Sequence, residues 1–188
     1  MRNKYILMRH GETKYQAKGI EDILYTKEEQ FSLPITQRAK KTIKETTRNL
    51  KGVDLIFSSD YYRTRQTAQI VAKELNLSIG FDKRLRDTDF GVFGGGPASK
   101  YKEYFSSKLQ RFTKRIPKGE SWRDVKKRAV DFLKEIDKKR KNKTILIISH
   151  ADPLWLLAGF LKGYSEKELL KRRETDCVWL KTGQMLKI

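Results

Sequence analysis

Short, continuously apolar runs alternate with amphipathic stretches along this chain, and the alternation restricts its fold more than any other feature. Tyr5 to Met8 is followed by Thr36 to Leu50, Val53 to Phe57 by Tyr61 to Leu75, and Thr144 to Ile148 by Pro153 to Leu161. Val53, Ile56, Ile145, Ile147 and Ile148 make the runs β-branched, the composition of strands buried on both faces of a parallel sheet. Strand–helix units in this order predict an α/β protein: a three-layer α/β/α sandwich with a mostly parallel central sheet. A last strand is expected at Cys177 to Leu180.

Spacing marks the helices. Ala68, Val71 and Leu75 share one face, and Trp122, Val125, Ala129, Leu133 and Ile136 form a stripe along a longer helix. Ser121, with Asp124 three residues on, has the form of a capping box at the start of that helix. Phe81 to Gly119 contains Gly94, Gly95, Gly96 and Pro97 and then the basic segment Lys100 to Lys118, which reads as an excursion over one sheet edge. With 188 residues, no internal repeat and no linker-like tract, one domain over 1–188 is expected, with a short cap at about 92–119.

Composition narrows the partners. There are 42 Lys and Arg against 23 Asp and Glu, a net charge of +19, while the 38% hydrophobic content excludes wholesale disorder. Such a balance favours anionic partners and says nothing of fold. Cys177 is the only cysteine, so an intramolecular disulfide and a multi-cysteine metal site are excluded and a reducing, cytoplasmic setting is expected. Arg9 and His10 interrupt the first apolar run too early for a signal peptide, and no run is long enough to span a membrane.

The chain's two histidines each stand just past an apolar strand, in Ile6-Leu7-Met8-Arg9-His10-Gly11 and Ile145-Leu146-Ile147-Ile148-Ser149-His150. Parallel strands present their C-terminal ends to one edge, where ligands bind, so the two imidazoles are expected in one crevice. The strand ending at Phe57 delivers Ser58, Ser59, Asp60 and then Arg63 to the same edge. Arg63 and Arg65 fall in a helical first turn, where the macrodipole disfavours a cation and a bound anion would reverse the sign. Arg9 and Arg63 suit bidentate capture of phosphate oxygens. The competing readings are structural: strand-end histidines in the core, Arg63 paired with Asp60 at the surface, Ser58 or Asp60 as helix caps, or a metal held by His10, His150 and a carboxylate, which neighbouring arginines would disfavour.

Leu7-Met8-Arg9-His10-Gly11-Glu12-Thr13 resembles the signature of the histidine phosphatase superfamily, also called phosphoglycerate-mutase-like. Ser58-Ser59-Asp60-Tyr61-Tyr62-Arg63-Thr64-Arg65 resembles its second arginine block, Gly119-Glu120-Ser121 its pre-helix motif, and Ser149-His150 with Asp152-Pro153-Leu154 its second-histidine block. The blocks come in family order and span nearly the whole chain. The resemblance implies a phosphoglycerate-mutase-like fold and a phosphatase acting through a phosphohistidine on His10, without cofactor or metal. Arg9 and Arg63 would then bind the phosphoryl oxygens and His150 would complete the pocket. In Leu85-Arg86-Asp87-Thr88-Asp89-Phe90-Gly91, Asp87 stands where the family carries its proton-donating Glu, with Asp89 as the fallback. To donate, Asp87 needs a raised pKa; the bland alternative pairs it with Arg84 or Arg86. Three further departures bear on substrate: Gln16 stands for a phosphate-contacting Asn, and its amide can donate to phosphate; Ala39 replaces a frequent Gly; and Phe93-Gly94-Gly95 replaces an aromatic-Glu-Gly.

Two alternatives to hydrolysis of a small phosphorylated substrate remain. One is a phosphoglycerate mutase, against which the short chain argues. The other is a non-catalytic nucleic-acid-binding protein on the same fold: residues 98–143 hold 17 Lys and Arg against 6 Asp and Glu, and Tyr101, Tyr104, Phe105 and Phe112 interleave with them as stacking platforms do. The same aromatics also suit the buried face of a cap helix.

Overall fold

The computed structural model describes residues 1–20, 23–173, 175 and 178–188. Five strands form one sheet: β1 (Lys4–Arg9), β2 (Leu55–Ser58), β3 (Ile79–Phe81), β4 (Thr144–Ser149) and β5 (Met185–Lys187), in the order β3-β2-β4-β1-β5. All pairings are parallel except β1 with β5. The helices are α1 (Lys14–Ala17), α2 (Lys27–Ser32), α3 (Gln37–Arg48), α4 (Tyr62–Leu75), α5 (Ala98–Glu103), α6 (Trp122–Lys139), α7 (Ala151–Leu161) and α8 (Glu166–Lys171).

Alternation along the central strands divides the core into two layers. Tyr5, Leu7, Ile145 and Ile147 face one way, onto Val125, Ala129 and Leu133 of α6 and Leu154 to Ala158 of α7. Ile6, Met8, Leu146, Ile148 and Ile56 face the other way, onto Ala39 and Ile43 of α3 and Ala68 and Val71 of α4. Each buried Ile or Leu contributes about 1.5–3 kcal/mol relative to exposure. A strand covered on both faces therefore has no room for alternating polar residues, and none occurs in Ile145–Ile148.

The expected capping box at Ser121 forms: its Oγ accepts from Asp124 N–H at 3.3 Å, and the Asp124 carboxylate accepts from Ser121 N–H at 2.9 Å. The last strand differs from expectation. Cys177 lies outside the described residues, and Val178–Leu180 is not a strand, although Val178 and Leu180 are buried. The edge strand is Met185–Lys187, three residues paired antiparallel with Ile6–Met8.

Past β3 the chain leaves the sheet through short 3₁₀ turns at Lys83–Leu85 and Gly91–Phe93 and the helix α5. Tyr101, Phe105 and Ile116 form a small separate core there, with Leu24, Phe90 and Phe93 against it. Gly95 fits this rim because its φ of +82° and the 2.9 Å between a Cβ built there and Thr26 Cγ2 leave little place for a side chain. Its N–H donates to Leu24 O at 2.7 Å, joining the excursion to the segment before α2.

Candidate active site

β1, β4 and β2 end side by side, and the residues that follow β1 and β2 are pinned to β4. His10 N–H donates to Ser149 O and Ser59 N–H to Ile148 O, both at 3.0 Å. The register thereby sets His10, His150 and Ser59 on one edge, and the ring centroids of His10 and His150 lie 5.3 Å apart.

Arg63, at the second position of α4, reaches between them. Its Nε donates to His10 Nε2 at 3.2 Å, Nη1 to Gln30 Oε1 at 2.7 Å, and Nη2 to Asp87 Oδ2 at 3.1 Å and His150 Nδ1 at 2.9 Å. The side chain has no solvent exposure. A buried cation is tolerated when its donors find acceptors and a carboxylate stands opposite. The Tyr25 ring lies 4.6 Å from the guanidinium and the Tyr61 ring 5.5 Å.

The partners fix the tautomers. His10 Nδ1 lies 2.8 Å from Gly11 O, which only accepts, so Nδ1 carries the hydrogen and Nε2 the lone pair. Arg63 only donates, so His150 Nδ1 accepts and its Nε2–H donates to Ser59 Oγ at 3.0 Å. Burial, reinforced by the charges of Arg63 and Arg9, holds His10 well below the usual imidazole pKa. Burial does the same to His150, with Arg63 and His10 adding to it. The Asp87 carboxyl is pushed up by burial, against the pull of Arg63 and with help from Asp152.

The residues singled out from sequence fall as follows. His10, Arg63, His150 and Asp87 join one hydrogen-bonded cluster. Arg9 acts on His10 through its charge, while its Nη1 donates to Leu180 O at 3.0 Å. Gln16 turns elsewhere: its oxygen accepts from Thr13 N–H at 2.8 Å and its amide donates to the Tyr25 hydroxyl at 2.5 Å, so it reaches the cluster through the tyrosine over Arg63. Asp89 accepts from Gly91 N–H at 2.9 Å. Asp60 pairs with Arg86, at 2.7 Å from Oδ1 to Nε, and not with Arg63. Ser58 Oγ donates to the carbonyls of Ser59 and Thr64, and Tyr61 stands at the N-cap of α4 without a side-chain cap bond. Among the described residues no three His, Cys, Asp or Glu side chains converge as a metal-holding group.

Sequence reasoning missed Gln30, Tyr25 and Asp152. Asp152 accepts from Thr88 Oγ1 at 2.9 Å and Trp122 Nε1 at 3.0 Å, behind Asp87. It lay within the second-histidine block, which was the available signal. Gln30 and Tyr25 belong to a stretch with no motif. Three of the interleaved aromatics of the cap turn inward, since Tyr101, Phe105 and Phe112 are buried, and the half-buried Tyr104 carries Lys114 Nζ 3.7 Å over its ring. They are packing surfaces and not a stacking platform.

A mostly parallel α/β sandwich with His, Arg and His meeting at adjoining strand ends defines a recognisable class of α/β protein. The model of the histidine phosphatase superfamily (branch 1) matches residues 5–182, and the chain belongs to that superfamily. It is 28% identical over 158 residues to phosphoserine phosphatase 1 of Hydrogenobacter thermophilus, covering 80% of this chain and 72% of the relative. It is 30% identical over 197 aligned positions to a probable phosphoglycerate mutase of Escherichia coli O1:K1 / APEC, covering 94% and 87%. The fold matches that of a mycobacterial glucosyl-3-phosphoglycerate phosphatase with a TM-score of 0.77 at 17% identity, over 98% of this chain and 88% of that one. It matches the α-ribazole phosphatase of Shigella flexneri with a TM-score of 0.77 at 22% identity, over 98% and 89%. No helix among the described residues is long and apolar enough to cross a membrane.

Proposed function

We propose that the protein is a phosphatase that hydrolyses a small phosphomonoester through a phosphohistidine on His10, with Asp87 as general acid. One observation carries this reading: a single buried guanidinium, Arg63, hydrogen-bonds the lone-pair nitrogen of His10, the second imidazole and the Asp87 carboxylate together. The nucleophile, the oxygen-binding groups and the proton donor thus share one centre.

In the first step the Nε2 lone pair forms a bond to phosphorus as the bond to the alcohol oxygen breaks, and Asp87 gives its proton to that oxygen. In the second, water bonds to phosphorus, the N–P bond returns its pair to Nε2, and Asp87 takes back a proton. Atoms and charges balance with these side chains and water alone. Arg9 and Arg63 hold the phosphoryl oxygens, His150 completes the pocket beside them, and Gln16 supports the site through Tyr25. Charge on the transferring group is met by fixed donors, where most of the rate enhancement in phosphoryl transfer resides. The domain acts as one unit over 1–188, with the 92–119 cap bordering the cleft and its basic excess drawing anionic substrates inward.

Trapping by rapid acid-free quench tests the reading. Wild type is expected to yield a covalent phosphohistidine and free phosphate, and His10→Ala neither; undiminished turnover in that variant overturns it. The similarity to a probable phosphoglycerate mutase sets the second arm. With 3-phosphoglycerate and a trace of its bisphosphate, isomer formation exceeding phosphate release would make the protein a mutase.

A further inference from the structure

Beside the cluster lies a cleft of about 220 Å³ that neither histidine lines. Four aromatic residues line it from three separate segments: Tyr25, Phe31 of α2, Tyr61 and Phe90. Tyr25 and Tyr61 are also the rings flanking Arg63, so the cleft adjoins the phosphoryl-binding centre, and it shares Tyr61, Arg86 and Asp89 with the neighbouring cleft that Asp87 lines. Phe31 is 54% exposed and meets Tyr61 edge-on at 5.2 Å between ring centroids. Together with Tyr61 it presents an apolar wall at the mouth of the cavity that is open to a ligand.

The charges of the cleft point the same way. Among its lining cations, Arg86 is already held by the Asp60 carboxylate through two hydrogen bonds and packs 5.3 Å from both Phe31 and Tyr61. Asp89 adds a carboxylate to the wall, which leaves Lys27 as the lining cation able to meet a second anion. An alcohol carrying a carboxylate or a second phosphate needs several converging donors; on this wall Gln30 accepts from Arg63 and Thr88 donates to Asp152, and four rings stand beside them. Size agrees, because an apolar cavity of about 150 Å³ holds one benzene.

We propose that the leaving alcohol of the substrate carries a planar aromatic ring, which packs against Phe31 and Tyr61 while its phosphoryl group sits on Arg63. The proposal rests on the phosphatase reading above and specifies its substrate class.

Benzyl phosphate and butyl phosphate give a direct test, since both release alcohols of similar acidity and differ in the ring. Base–aromatic contacts of this kind correspond to roughly 5- to 100-fold in affinity, and kcat/KM for benzyl phosphate is expected to exceed that for butyl phosphate by such a factor. A nucleoside 5′-monophosphate and phosphoserine extend the pair to a heteroaromatic and a charged, ring-free alcohol. In Phe31→Ala the benzyl-to-butyl ratio is expected to fall to within about threefold of unity, while Phe31→Tyr retains it. The exposure of Phe31 keeps the fold out of the comparison, which equal melting temperatures verify. Equal rates on benzyl and butyl phosphate, or phosphoserine preferred over both, overturn the ring proposal and leave the phosphatase standing. Absence of turnover on every substrate together with absence of a trapped phosphohistidine removes both.

Discussion

At the residue scale the proposed reaction turns on Asp87, because a carboxyl can donate only while it keeps its proton. Burial and Asp152 raise its pKa, and Arg63 works against them. His10 has the opposite need: it attacks only when Nε2 is unprotonated, and its pKa is held below the usual value. Turnover then rises with pH as His10 loses its proton, below about 6.5, and falls as Asp87 loses its own, above the ordinary aspartate range near 3.9. The expected profile of kcat/KM is a bell displaced to acid pH. Asp87→Asn should lower kcat on butyl phosphate by roughly 10²- to 10⁴-fold and abolish the descending limb, leaving the ascending one. A pH–rate profile of that variant which still descends would assign the limb, and the acid, to another group such as Asp89. His10, Arg63 and His150 were legible in the sequence because each follows an apolar run that fixes its place at a sheet edge. Gln30 was not, since it reaches Arg63 from a six-residue helix whose position only tertiary packing determines.

At the scale of elements, α6 aligns the loop that carries the acid. From its second turn Arg128 donates to the carbonyls of Arg84 at 2.8 Å, Arg86 at 2.7 Å and Asp87 at 2.8 Å, and it is held by Glu120 at 2.7 Å. Glu120 in turn accepts from Asp89 N–H at 3.0 Å. In the proposed reaction Arg128 is a positioning residue, acting through Asp87. A displaced acid hurts only substrates whose leaving group needs a proton, so leaving-group dependence separates this role from general damage. Arg128→Ala should slow butyl phosphate by about 10-fold or more relative to 4-nitrophenyl phosphate, whose phenolate leaves unaided. Equal slowing on both would reduce Arg128 to a structural support. The sequence showed α6 clearly through its apolar stripe and capping box, but not this clamp, because backbone carbonyls carry no sequence signal. It also misplaced the last strand. Val178 and Leu180 are apolar because they are buried, whereas the edge strand Met185–Lys187 is paired on one side and needs no continuous apolar run.

At the scale of the whole molecule, both histidines of the chain are buried at the edge where three strands end, and the fold is thereby linked to pH. Burial depresses both imidazole pKa values in the folded protein. The unfolded chain takes up protons near pH 6.5 and the folded chain only at lower pH, so below that value the unfolded state binds more protons and stability decreases as the pH is lowered. Asp87 runs the other way: its raised pKa lets the folded state keep a proton that the unfolded state has lost, and its contribution grows toward acid. Two imidazoles, joined by carboxylates whose pKa values their ion pairs lower, such as Asp60, Asp124 and Glu135, oppose Asp87, and 42 Lys and Arg against 23 Asp and Glu keep the net charge strongly positive throughout. The melting temperature should therefore fall between about pH 7 and pH 5. In the His10→Gln, His150→Gln double variant, followed by calorimetry over the same range, the slope should flatten, leaving Asp87 against the ion-paired carboxylates whose lowered pKa values act in the imidazoles' direction toward acid. A wild-type melting temperature that is flat across this range, or a double variant with the wild-type slope, would show that the folded and unfolded imidazoles bind protons alike, and the lowered pKa that keeps Nε2 of His10 unprotonated in acid would be absent.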